Sequence, residues 1–195
     1  RMKEKGCRWY NCDEMIAERL GTELVGKGYT THNLAKWMGQ PFSDGYIKAE
    51  KIYLDLEGTV VEKICDELES YAKIDVPLVV DTTGSLIYLD KELLLRLRAL
   101  TKMVYLKIPE EKYDRLFENF VNDPKPVIWE CKYKPKKRED PQNALRRCYK
   151  DLLKFRNKRY SLLADYVLDH SLHFSPDRDV EELLNVLQMY FETKA

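Results

Sequence analysis

Glycine is scarce in this chain, and its placement excludes the commonest phosphate-binding loop. Eight glycines occur among 195 residues. None opens a G-x-x-x-x-G-K-[ST] run, in which backbone N–H groups cradle phosphates and a lysine reaches the outer ones. Only Gly26 is followed directly by lysine, and neither Ser nor Thr comes next. No C-x-x-C pair occurs. The five cysteines, at 7, 12, 65, 131 and 148, are odd in number. Cys7 and Cys12 flank a strand-like segment, which is no compact zinc site; reduced thiols in a reducing compartment are expected. Neither sign of charge prevails: 33 basic and 33 acidic side chains sum to zero. That excludes a general nucleic-acid binder, whose phosphate contacts need surplus Lys and Arg. No run approaches the roughly 18 apolar residues of a membrane helix, and no signal peptide is legible. Three scattered histidines, at 32, 170 and 173, make no ligand or base constellation.

The remaining composition, 34% charged and 44% hydrophobic, is that of a globular chain long enough for one domain. Arg1–Gly6 reads as the last turn of a helix with a glycine cap. Cys7–Asn11 reads as a strand, and Asp13–Gly21 as a helix with an acidic first turn. A glycine-rich stretch follows to Gly28, and Thr31 caps a short helix to Met38. Ser43–Tyr71 carries a long helical pattern whose apolar stripe is Ile47, Ile52, Leu56, Val60, Ile64 and Leu68. Val76–Asp81 is an apolar run of the kind buried on both faces of a parallel sheet. Leu93–Leu100 is helical, Met103–Ile108 a strand, and Pro109 opens a helix through Phe117. Residues 122–140, with three prolines and the basic run Lys132–Arg138, read as a loop or mobile flap. A helix from about Asn143 to Asp165, a strand at Tyr166–Leu168 and a helix at Asp179–Phe191 complete the chain. Alternating strands and helices predict an α/β fold with a mostly parallel sheet.

Several residues offer chemistry. Asp13 follows the first strand directly, where open parallel sheets bind ligands. An acid there orients a substrate hydroxyl or holds Mg²⁺, or is only a favourable charge at a helix N-terminus. Asp81 ends an apolar strand, either as a carboxylate for a magnesium-bound nucleotide or as a cap on the next turn. Thr83-Gly84-Ser85 is a small-residue turn that lets backbone approach a ligand, though short hydroxyl residues also form ordinary turns. Lys125, Lys132–Arg138 and Arg156 are candidate anion binders, with a solvated face as the plainer reading of the basic run. Trp37 and Trp129 read as packing residues.

In order, these pieces resemble the shikimate kinase family of P-loop small-molecule kinases over nearly the whole chain. The family's Asp-x-Asp corresponds to Asn11-Cys12-Asp13, so the substrate-side acid is kept and the magnesium-linked one has become Asn11. Its Phe-Arg-x-x-Glu corresponds to Tyr53-Leu54-Asp55-Leu56-Glu57, with Leu54 in place of the arginine. Thr83-Gly84-Ser85 stands for a three-glycine substrate loop, and Lys125-Pro126 for the Arg-Pro of the lid. Arg156-Asn157-Lys158-Arg159-Tyr160, followed by Ala164-Asp165, matches a substrate-contacting arginine segment. The resemblance implies a single, N-terminally truncated three-layer αβα domain, 1–195, with a basic lid near 122–140. It implies ATP-dependent phosphoryl transfer to a hydroxyl of shikimate or a related metabolite. Asp13 would be catalytic, Arg156, Thr83, Gly84 and Ser85 would bind substrate, and Lys125 and Asp81 would hold ATP. Mg²⁺ would sit by Asp81 and Asn11. The phosphate loop would lie before Arg1, in a cytoplasmic protein or behind an organelle transit peptide. The chain alone would then be inactive. The competing expectation is a degenerate, non-catalytic binding module.

Overall fold

The computed structural model describes residues 7–21, 31–71, 78–173 and 180–192. The segments read as a capped helix end at 1–6 and as a glycine-rich stretch at 22–28 lie outside them. Strand β1 (Arg8–Asn11) leads into α1 (Cys12–Leu20). Helix α2 (Thr31–Met38) precedes α3 (Tyr46–Ser70), the longest element. Strand β2 (Leu78–Asp81) is followed by a 3₁₀ turn at Leu86–Tyr88 and α4 (Lys91–Leu100). Then come β3 (Val104–Leu106), a 3₁₀ turn at Glu110–Lys112 and α5 (Tyr113–Asn122). The chain continues through α6 (Pro141–Leu163), β4 (Tyr166–Leu168), α7 (His170–His173) and α8 (Val180–Glu192).

The expected three-layer αβα sandwich does not form. The described elements are mostly helical, and the strands make two separate parallel pairs, β1–β2 and β3–β4. Nor is β2 buried on both faces: Leu78, Val79 and Val80 are half-buried and Asp81 is exposed. The alternation of strands and helices was legible, but the pairing was not. Pairing is a contact between segments far apart in sequence, and strands of three or four residues carry little pattern to specify partners.

Helix α3 organises the core. One side packs with α1, α2, α6 and the Ile128–Trp129 segment; the other, through Val61 and Cys65, packs with α4. Its buried stripe runs Tyr46, Ala49, Tyr53, Glu57, Val60, Ile64 and Leu68. This differs from the aliphatic stripe expected at Ile47, Ile52 and Leu56, and Ile47 is 72% exposed. Steps of three and four residues define the face, and on this helix that face passes through two tyrosines and a glutamate. Gly45, at φ 83°, supplies the left-handed turn that starts α3.

Residues 123–140 contain no helix or strand, as expected of a loop, but the segment is fastened at both sides. Glu50 of α3 accepts the backbone N–H groups of Trp129 (2.6 Å) and Glu130 (2.9 Å). The Tyr46 hydroxyl lies 2.8 Å from the Val127 carbonyl and accepts from Trp129 N–H at 3.0 Å. From α6, Arg156 donates to the Ile128 carbonyl (2.8 Å) and Arg147 grips Glu139 (2.7 Å). Ile128 and Trp129 are consequently core residues. No helix of the described residues is long and apolar enough to cross a membrane.

Candidate functional site

The carboxyl ends of β1 and β2 lie side by side, because Asn11 and Asp81 are register partners in the parallel pair. The chain after β1 turns at once into α1, so Asp13 stands at the first turn of that helix. Asn11 caps it, its Oδ1 accepting the Glu14 N–H at 3.2 Å. The chain after β2 becomes the Thr83–Ser85 turn, whose two hydroxyl residues are buried. Helix α3 backs this corner with Tyr53 and Glu57, and α6 covers it with Arg156 and Tyr160.

Asp13 is half-buried and accepts a hydrogen bond from the Tyr53 hydroxyl at 2.9 Å. Burial raises its pKa above the ordinary carboxylate range, and the nearby Asp81 charge adds to the rise; Tyr53 and Lys125 oppose it. Asp81 is raised by desolvation and by Glu14. Cys12 lies behind them, its thiol pushed up to about 12 by burial and by the charges of Glu57, Asp13 and Asp81.

Glu57 is fully buried. Both carboxyl oxygens are engaged, Oε1 by the Thr83 hydroxyl and Oε2 by the Ser85 hydroxyl. Burial raises its pKa to about 7, against the lowering effect of those two donors. The Gly84 carbonyl between them accepts from Tyr160 O–H at 2.5 Å. A β-carbon on Gly84 would stand 3.0 Å from an Arg156 guanidinium nitrogen, so glycine permits that close approach. Arg156 lies against the Tyr88 ring at 5.8 Å. Its Nε–H and the Tyr88 hydroxyl are buried without a hydrogen bond of good geometry, but the Arg156 side chain engages the Tyr88 hydroxyl and opposes the rise that burial gives its pKa.

The structure therefore gathers Asn11, Asp13, Asp81, Thr83, Gly84, Ser85 and Arg156 at one corner. Lys125 is placed differently: it is exposed and paired with Asp123 at 2.8 Å, though close enough for its charge to act on Asp13. Of the basic run Lys132–Arg138, Lys132 caps the Phe155 ring at 4.0 Å, and that ring stacks on Tyr88. Asn11 is already committed as a helix cap, and no group of three potential ligands among the described residues would hold a metal ion. Tyr53 and Tyr160 enter the sequence reading only as members of the resembled segments, with no role, and Tyr88 not at all, because a tyrosine's partner is set by tertiary contact.

No protein-family model, no curated protein and no solved structure matches this chain, so nothing in those comparisons supports the resemblance to shikimate kinases.

Proposed function

We propose that this corner binds a small metabolite bearing both a hydroxyl and an anionic group, and that Asp13 takes up the hydroxyl proton as ATP phosphorylates it. The observation that carries the reading is a pair of opposite charges at one corner: a partly desolvated carboxylate, Asp13, and the guanidinium of Arg156 both lie close enough to Glu57 to act on it, and Arg156 approaches Gly84. A carboxylate with a raised pKa is a better proton acceptor than a solvated one. An arginine guanidinium suits a carboxylate or phosphate oxygen. Tyr53 orients Asp13, and Tyr88 offers the bound anion a second donor.

Lys125 is the one assigned cation near Asp13, and it is shared with Asp123. The test is a coupled assay on the full-length protein with ATP and a panel of small hydroxy acids that includes shikimate. Asp13→Asn is expected to lower turnover by roughly 10²–10⁴-fold with the fold retained. Unchanged turnover would remove Asp13 from the chemistry.

A second reading, a binding module without catalysis, is favoured by a separate observation. Leu54 stands where the resembled family has an arginine. Calorimetry separates the two. Magnesium-dependent ATP binding supports the enzyme, whereas hydroxy-acid binding without ATP binding supports the module.

A further inference from the structure

Three oxygen–oxygen contacts close a ring around Glu57. Its Oε1 meets Thr83 Oγ1, its Oε2 meets Ser85 Oγ, and the two hydroxyl oxygens lie 2.8 Å apart. Each contact needs one proton, and each hydroxyl carries one. Two hydroxyl protons leave the third contact unfilled. The Ser85 backbone N–H, which donates to Thr83 Oγ1 at 3.1 Å, does not supply it. A protonated Glu57 does: the acid donates to one hydroxyl, that hydroxyl to the next, and the second returns a proton to the other carboxyl oxygen. A neutral carboxylic acid at Glu57 would fill all three contacts.

We propose that Glu57 is a positioning residue that holds its proton in the closed state of the site and thereby locks the Thr83–Gly84–Ser85 turn beneath Arg156. The proposal rests on the reading of this corner as the binding site. Loss of the proton leaves two hydroxyl oxygens at 2.8 Å with no hydrogen between them, so the turn opens and the support under the Arg156 guanidinium shifts. The surroundings bear on that proton from every side. Asp13 and Cys12 of α1 and Tyr160 of α6 face it, as does Tyr53 one turn earlier on α3. The Asp13 charge opposes ionisation of Glu57 and the Arg156 charge favours it. Both sit at the site, so charge arriving there is felt by the ring.

The test needs no substrate, so its failure is separate from failure of the catalytic reading. Full-length protein labelled with ¹³C at glutamate carboxyls and ¹⁵N at Gly84 N–H and Arg156 Nε–H would be titrated by NMR. The Glu57 carboxyl is expected to titrate with a midpoint of about 7. The Gly84 and Arg156 signals are expected to move with the same midpoint. Glu57→Gln places an amide donor and a carbonyl acceptor in the ring, as the neutral acid does. In that variant both signals are expected to hold their low-pH positions throughout. A Glu57 midpoint in the ordinary range of about 4–5 overturns the proposal. So does movement of the Arg156 signal in Glu57→Gln equal to that of the wild type. The wild-type titration decides alone if the variant does not fold.

Discussion

At the scale of single residues, Glu57 shows how burial converts an ordinary side chain into a pH-sensitive one. Its pKa rises from 4.5 to about 7 on folding. The folded state therefore binds this proton more tightly than the unfolded state does. Its stabilising contribution is whole below about pH 4.5, declines as pH rises, and is gone above about 7. Comparing wild type with Glu57→Gln by denaturant unfolding isolates that contribution. The difference between them is expected to change by on the order of 3 kcal/mol across the window. A constant difference would mean that Glu57 titrates alike in both states. Gly84 gives a second prediction. In Gly84→Ala the new methyl meets the end of a movable side chain, so the melting temperature is expected to change little. The guanidinium must move, however, and binding of a hydroxy acid is expected to weaken by roughly tenfold or more, the loss of one charge-assisted hydrogen bond. Unaltered affinity would place the anion elsewhere. The sequence made Asp13 and Gly84 legible because each sits at an end or turn with a local signature, and Arg156, inside α6, legible as an arginine and through the resemblance. Glu57 entered only through the resemblance, because its ring partners lie 26 and 28 residues away.

At the scale of elements, α3 and the 127–130 segment act as one unit. The Glu50 carboxylate receives two backbone N–H groups and lies 2.7 Å from the Tyr46 hydroxyl. Removing it takes the acceptor from the Glu130 N–H and leaves the N–H of Trp129, a residue only 2% exposed, with only the longer bond to the Tyr46 hydroxyl. Glu50→Ala is expected to cost about 1–3 kcal/mol in thermal or chemical unfolding, and Glu50→Gln, which keeps an acceptor, much less. Equal losses would point to charge and not hydrogen bonding as the source. The start of α6 is capped by Asp140, whose carboxylate accepts the N–H groups of Gln142 and Asn143, with Pro141 in the first turn. Both signals are local, and the helix start was readable to within two residues. The fastening of 127–130 was not, since three prolines and a basic run signal only irregular backbone. Burial of Trp129 against α3 and α6 turned that backbone into part of the core.

At the scale of the whole molecule, the two parallel pairs differ in kind from the helical core. Strands Leu78–Asp81 and Val104–Leu106 are half-buried, whereas Val60, Val61 and Ile64 of α3 are almost wholly enclosed. Isolated strand pairs are marginal without packing on both faces. Native-state hydrogen exchange should therefore show α3 amides as the slowest and β2 and β3 amides opening at lower free energy. Strand amides as slow as those of α3 would show a sheet more cooperative than two pairs. The sequence by itself determined where nearly every described helix and strand lies, because caps, glycine stops and apolar periodicity act over a few residues. It also singled out Asp13 and Arg156 as candidate functional residues. Only the tertiary structure decided that the strands form two pairs in place of one sheet. It alone placed a glutamate and two tyrosines on the buried face of α3, and the Thr83–Ser85 turn against Glu57. Those outcomes depend on contacts between distant segments and on burial, and a short sequence window carries no record of either.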